Sequence, residues 1–161
     1  MTTSPPALAA FTLLAIEGRP PQPLNVLGVE VLVKLADADT LGAVAIFHEI
    51  VPPMGGPPLH RHSYEDEWFY VLNGEVTSEI DGKRRVLYAG CSAFAPRGTA
   101  HTLQNFDHSP AEILVMATPG RLNLFFEELA SLNAGRPTPD MTETERLMND
   151  YGIELLGPPL S

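Results

Sequence analysis

The sequence predicts an all-β domain, a barrel or sandwich of seven or more short strands, closed by one or two short C-terminal α-helices. Three observations carry this. Sixteen prolines and 13 glycines among 161 residues interrupt the chain too often for long helices. Between those breaks, short runs rich in β-branched and aromatic residues recur at near-regular spacing. Helical periodicity starts only after Pro119.

Taken in order, residues 1–24 read as an N-terminal segment. Its apolar stretch "ALAAFTLLAI" at 7–16 suits an extra edge strand or one swapped onto a neighbouring copy, and "EGRPPQP" at 17–23 is a turn. From Val26 the strand-like runs are "VLGVEVLVKL", "GAVAIFHEIV", "EWFYVLNGEV", "RRVLYAG", "AFAP", "HTLQNF" and "AEILVMAT", which place the barrel at 25–118. Asn73-Gly74 and Asp81-Gly82 are pairs that tolerate positive φ in two-residue hairpin loops, so the middle of the chain should be antiparallel. Residues 119–161 hold the helices and tail. Leu122, Phe125, Phe126, Leu129 and Leu132 share one helical face, and Gly135 suits the end of that helix. A second helix is expected at 141–151, with Thr142 and Glu145 as a capping box, Gly152 as its stop and an extended tail.

A length of 161 residues supports one domain with a sizeable core. The net charge of −10 repels phosphate backbones and anionic membrane surfaces, which argues against nucleic acid and membrane as partners. Cys91 is the only cysteine, so no internal disulfide forms, and it reads as a small buried apolar residue. No apolar run reaches the roughly 20 residues that span a bilayer, and a cytoplasmic location is expected.

The stretch "PPLHRHSYEDEWFYVLNGE" carries the chemistry. His60 and His62 are two apart on an extended segment, so they project from one face with Cα atoms about 6 to 7 Å apart and can share a metal ion. Glu65, Asp66 and Glu67 follow, of which one is expected to point inward. A further histidine, His101, follows a proline and glycine turn. Taken alone, the paired histidines beside acids fit a solvated polar turn as well as a metal site.

The two segments together resemble the paired signature motifs of the cupin superfamily. The first motif is a glycine, five residues, His-x-His, three or four residues, a glutamate, six residues and a glycine. His60, His62, Glu67 and Gly74 fall into its register, and Asp66 and Glu65 do not. In the second motif Gly90, Pro96, Gly98, His101 and Asn105 all match. The leading glycine of the first motif is replaced by Met54, followed by Gly55 and Gly56, so the turn before the histidines departs from the pattern.

The resemblance implies a jelly-roll, or double-stranded β-helix, barrel. It also implies one divalent transition metal ion (Fe, Mn, Ni, Co, Cu or Zn) on His60, His62, Glu67 and His101, with Gly74, Pro96, Gly98 and Asn105 in support. Single-domain members of the family commonly pair, so a homodimer is implied as well. Three imidazoles and one carboxylate leave an octahedral ion two open positions.

Alternation from Glu67 puts Phe69 and Val71 inward, and from His101 it adds Leu103. Phe47, Phe94 and Phe125 are further candidates for the pocket wall, and Tyr64 for its mouth or a surface turn. His48 and His108 read as packing and surface residues. The helix bearing Phe125 and Phe126 is either a lid over the barrel mouth or a static packing element.

Such an apolar, aromatic lining favours a planar organic substrate over a sugar phosphate. The motifs, helix and tail look like those of single-domain bacterial cupins related to quercetin 2,3-dioxygenase. That resemblance implies a metal-dependent dioxygenase acting with dioxygen on a flavonol-like or other aromatic or enol substrate, with Glu67 as general base. The superfamily also contains isomerases, lyases and non-catalytic small-molecule binders.

Overall fold

A computed structural model describes residues 8–161. Eleven strands and two helices follow one another as β1 (Leu24–Val26), β2 (Val29–Leu35), β3 (Ala45–Val51), β4 (His60–His62), β5 (Asp66–Asn73), β6 (Glu75–Ile80), β7 (Lys83–Tyr88), β8 (Ser92–Ala95), β9 (His101–Gln104), β10 (Ala111–Thr118), α1 (Leu122–Leu132), α2 (Met141–Asp150) and β11 (Ile153–Leu155). One sheet has the order β1-β2-β3-β10-β5-β8 and the other β11-β4-β9-β6-β7, with every pairing antiparallel. The fold is the expected jelly-roll barrel with two short C-terminal helices, neither long and apolar enough to cross a membrane.

Alternation along the strands builds the interior. On β3, β5 and β10 the inward residues form cross-strand rows: Phe47, Val115 and Phe69 in one, Ala45, Ala117 and Glu67 in the next. Most of these are buried, and the second sheet closes over them with Val76 and Leu103. Apolar side chains on two facing sheets are what hold the barrel together.

Turn chemistry sets the register. Asp81 (φ 51°) and Gly82 (φ 71°) both take positive φ, and Ile80 pairs with Lys83, which makes the expected two-residue hairpin between β6 and β7. Asn73-Gly74 does something else. It carries the chain from one sheet to the other, with β5 and β6 on opposite sides, and an added Cβ on Gly74 would come within 3.0 Å of Ala111 Cα. A pair suited to a hairpin serves here as a corner, because the strands beyond it find better partners elsewhere.

Other expectations need correction. The first seven residues of the N-terminal segment lie outside the described residues. Residues 8–16 form no strand, and the edge of the sheet is β1 instead. The carbonyls of Leu14, Ala15 and Glu17 are gathered by the Lys34 ammonium, so this stretch satisfies its acceptors without a ladder. The cap of α2 is Asp140, whose carboxylate accepts from Glu143 N at 3.1 Å, in place of Thr142. Asn133 makes that geometry by accepting from Asp140 N at 2.9 Å. Beyond Gly152 (φ 72°) the tail adds β11, which pairs with β4 along its whole length. Cys91 is half-exposed, not buried.

The departure at Met54 is absorbed by Asn105. Its backbone accepts from Met54 N at 2.7 Å and donates to Gly55 O at 2.9 Å. Its side chain donates to Val51 O at 3.0 Å and Ser109 O at 2.8 Å and accepts from Asp107 N at 2.9 Å. Fully buried, it stitches the loop before β4 to the end of β9. Asn105→Ala is expected to lower stability by about 2–4 kcal/mol in urea unfolding, because the buried Val51 O and the part-buried Ser109 O and Asp107 N lose their partner. A loss under about 1 kcal/mol would show that water replaces the amide.

Candidate metal centre

Three strands bring the donors together. β4 is only three residues long, held between β9 and β11, and it presents His60 and His62 inward with Arg61 outward on Glu154. His101 opens β9 directly opposite His60. Glu67 enters from the facing sheet on β5. Positive φ at Gly98 (82°) turns the chain ahead of β9, and Gly98 N donates to His62 O at 2.7 Å. Arg97 locks the same turn onto Asp66 through a two-pronged contact at 2.9 and 3.0 Å.

One ligand atom from each of His60, His62, Glu67 and His101 lies within 4.8 Å of every other. Glu67 Oε2 is 2.7 Å from His101 Nε2 and 3.2 Å from His62 Nε2. Metal bonds of about 2.0–2.2 Å to nitrogen and oxygen put opposite donors a little over 4 Å apart, so this set fits a single ion with slight contraction. Its makeup, three imidazoles and a carboxylate, suits a divalent transition metal.

The ring orientations support the same reading. His60 Nδ1 donates to Pro58 O at 2.8 Å and His101 Nδ1 to Thr99 O at 2.9 Å, and a carbonyl can only accept. His62 Nδ1 meets the Glu65 carboxylate at 3.3 Å. With each Nδ1 engaged, each Nε2 is left for an ion. Glu65 thus corrects the expectation that one acid of the three turns inward: it is buried behind His62. Three-residue spacing across the turn, His62 to Glu65, was the available signal.

Burial lowers the basicity of His60, and positive charge on His101 and His62 adds to this, taking it down to about 3. Burial works the same way on His62, but the negative charge of Glu67 and hydrogen bonds to Glu65 and Glu67 outweigh it and push it up to about 10. For Glu67, burial favours the neutral acid. The charge of His62 and hydrogen bonds from His101 and His62 prevail and hold the carboxyl well below its usual range. At neutral pH the metal-free centre is therefore neutral His60 beside an imidazolium and carboxylate pair.

A partly open cavity of about 100 Å³ extends from these donors. Phe69, Leu103 and Phe125 line it, with Phe126 and Val115. Phe69 lies 5.8 Å from the His101 ring, and α1 closes one side. Phe47 and Val71 face inward but sit behind the wall, Phe47 packed edge-on against Phe126 at 4.9 Å. Phe94 is misassigned: on β8 it alternates with Ala95 and Ala93, which face the interior row, and it is 56% exposed on the outer face. Tyr64 is equally exposed and lies over Gly152, away from the cavity. His48 sits on the outer face against Glu112. The expectation missed Glu49, which lines the cavity; its parity with Phe47 on β3 was the signal.

Comparison with known proteins places this geometry. Residues 47–117 match the family described as "Cupin domain". The oxalate-binding protein of Thermotoga maritima is 32% identical over 66 residues, 41% of this chain and 54% of that protein. The chain spans 54 to 58% of the curated relatives it matches. Among solved structures, a predicted oxalate decarboxylase from Thermotoga maritima superposes with a TM-score of 0.61 at 24% identity, covering 68% of this chain and 99% of that one. A sugar phosphate isomerase of a cupin superfamily from Silicibacter pomeroyi gives a TM-score of 0.51 at 25% identity, covering 63% and 69%.

Metal uptake must displace the proton on His62. Apparent affinity for Zn(II) is expected to rise about tenfold per pH unit between about pH 6 and 9, with about one proton released per ion in calorimetry across buffers. Without metal the sign reverses. The raised value on His62 stabilises the fold fully below about 6.5, and that contribution is lost as the pH climbs towards about 10. Affinity that stays flat over that range would show that His62 is already neutral.

Proposed function

This chain is a member of the cupin superfamily, and from that premise we propose a metal-dependent oxidoreductase, a dioxygenase acting on a small aromatic or enol substrate. The observation that carries the reading is the wall of the cavity. Beyond the His60, His62, Glu67 and His101 cluster it is mostly apolar, and no Lys or Arg reaches it among the described residues. Oxalate or a sugar phosphate, the ligands in the names of the relatives, would meet no Lys or Arg side chain there. A flat apolar molecule with one ionisable oxygen matches the lining better.

His60, His62, Glu67 and His101 would hold the ion. When bound, it supplies positive charge that favours an enolate and a redox centre for dioxygen. Phe69, Leu103, Val115 and Phe125 clamp the ring and exclude water. Glu67 would accept the hydroxyl proton of the substrate on Oε2, the oxygen already hydrogen-bonded to His101. His101 and His60 keep their orientation throughout, through Thr99 O and Pro58 O. The cavity is of the order of one aromatic ring in volume, which favours a single-ring enol over a three-ring flavonol.

Pairing of two copies belongs to the same proposal. Leu72 and Phe94, on the outer face of the six-stranded sheet, are 44% and 56% exposed. Sedimentation at micromolar concentration is expected to show a dimer, and a purely monomeric profile would remove it.

The test of activity is oxygen uptake by protein loaded in turn with Fe, Mn, Co, Ni, Cu or Zn and offered quercetin and smaller enols. The expected result is one dioxygen consumed per substrate, with Glu67→Gln lowering turnover at least about a hundredfold while keeping part of the metal. Metal-dependent substrate loss without oxygen uptake would replace this reading with an isomerase or lyase. Ligand binding unaffected by chelation would replace it with a non-catalytic binder.

A further inference from the structure

One carboxyl side chain on the cavity wall is accounted for neither by the metal centre nor by packing. Glu49 lies on β3 between Val31 of β2 and Ile113 of β10, and Ile113 in turn faces Val71 of β5. Those three neighbours are fully buried, so the row is apolar on both sides of the carboxyl. Alternation aims Glu49 inward with Phe47, and it lines the cavity. Among the described residues it has no hydrogen-bond or ion-pair partner, only the distant charge of Glu67.

Glu67 stands four residues before Val71 on β5, so the backbone positions of the two acids are offset by about 13 Å along the strand direction. Phe69 and Val115 occupy the row between them. The inner face thus presents a polar end, an aromatic and aliphatic belt, and a second polar end. Of the other polar side chains on the wall, Thr102 is engaged by Pro57 O at 2.7 Å, while Ser78 on the facing sheet has no side-chain partner among the described residues. Glu49 is half-buried, and a lone carboxyl held among apolar neighbours on a cavity wall stands where a ligand can supply the missing partner.

We propose that Glu49 is a second anchor of the cavity: its carboxyl hydrogen-bonds an oxygen of an aromatic or enol substrate whose opposite end reaches His60, His62, Glu67 and His101. This rests on the metal-dependent reading above and sharpens its substrate class to flat, largely apolar molecules with oxygen functions at both ends. Burial first, then the charge of Glu67, pushes the Glu49 carboxyl up to about 8, so at neutral pH it holds a proton and can donate to a carbonyl. The titratable groups facing it are Glu67 and the three histidines across the cavity; β2, β10, α1 and α2 present only uncharged side chains there.

The test uses Zn(II)-loaded protein and calorimetric binding of catechol and of 3,4-dihydroxybenzaldehyde, which adds a carbonyl opposite the chelating oxygens. Glu49→Met is expected to weaken the aldehyde about tenfold while leaving catechol within about twofold, the loss of one buried hydrogen bond. Glu49→Gln, which keeps a donor, should stay within about threefold for both. Zinc content should remain one per chain in every variant, and the Tm of Glu49→Met, or of Glu49→Leu in its place, should rise by several degrees. Equal weakening of both probes, no change for either, failure of both to bind, or a Tm below wild type in both apolar variants would overturn the anchor. Oxygen plays no part in these measurements, so absence of dioxygenase activity would leave them readable.

Discussion

The structure turns on one carboxylate oxygen. Glu67 Oε2 is shared by His62 and His101 inside a barrel whose other contents are almost wholly apolar. Four buried polar groups at such distances are tolerated only because each has a partner. Their outer nitrogens are taken by Pro58, Thr99 and Glu65, and their inner atoms face one another. A carboxylate from one sheet and three imidazoles from the other also tie the two sheets together at this end.

Much of the irregular structure can be understood as support for that cluster. β4 is too short to hold two ligands in place alone. It gains β9 on one side and, on the other, β11 from the far end of the chain, with Arg61 and Glu154 clasping across the pair. The loop entering β4 is pinned by Asn105, and the turn entering β9 by Arg97 on Asp66. The helices contribute differently: α1 lays Leu122, Phe125, Phe126 and Leu129 over the cavity, and α2 packs on α1 so that the chain can return to β11. Chemistry and closure are thus carried by separate parts of the chain.

Within the cavity, the two inward carboxylates differ by environment alone. Glu67 stands among histidines, which hold its carboxyl well below the usual range; Glu49 stands among valine and isoleucine, which push its carboxyl up. Position on the sheet, four residues apart in register, divides their roles. The same apolar row that raises the Glu49 carboxyl is what gives a hydrogen bond there its discriminating power.

Local rules made a good deal of this legible beforehand. Strand alternation put His60 with His62 and Phe69 with Glu67, helical spacing marked α1, and counted intervals to Gly74 and Asn105 singled out Glu67 and His101. These depend on neighbours in sequence, and neighbours are all that a period or a motif records. What the tertiary structure decided depends on residues far apart. Asn73-Gly74 became a corner and not a hairpin because β5 and β6 have different partners. Phe94 faces outward because β8 pairs with β5 in the register that it does. Asp140 caps α2 because Asn133 holds it there. β11 exists only because β4 offers it an edge, and Glu49 is a cavity residue only because β2 and β10 close beside it. Period and motif specified the elements and four donors; long-range pairing chose which faces meet, and with them the second end of the cavity.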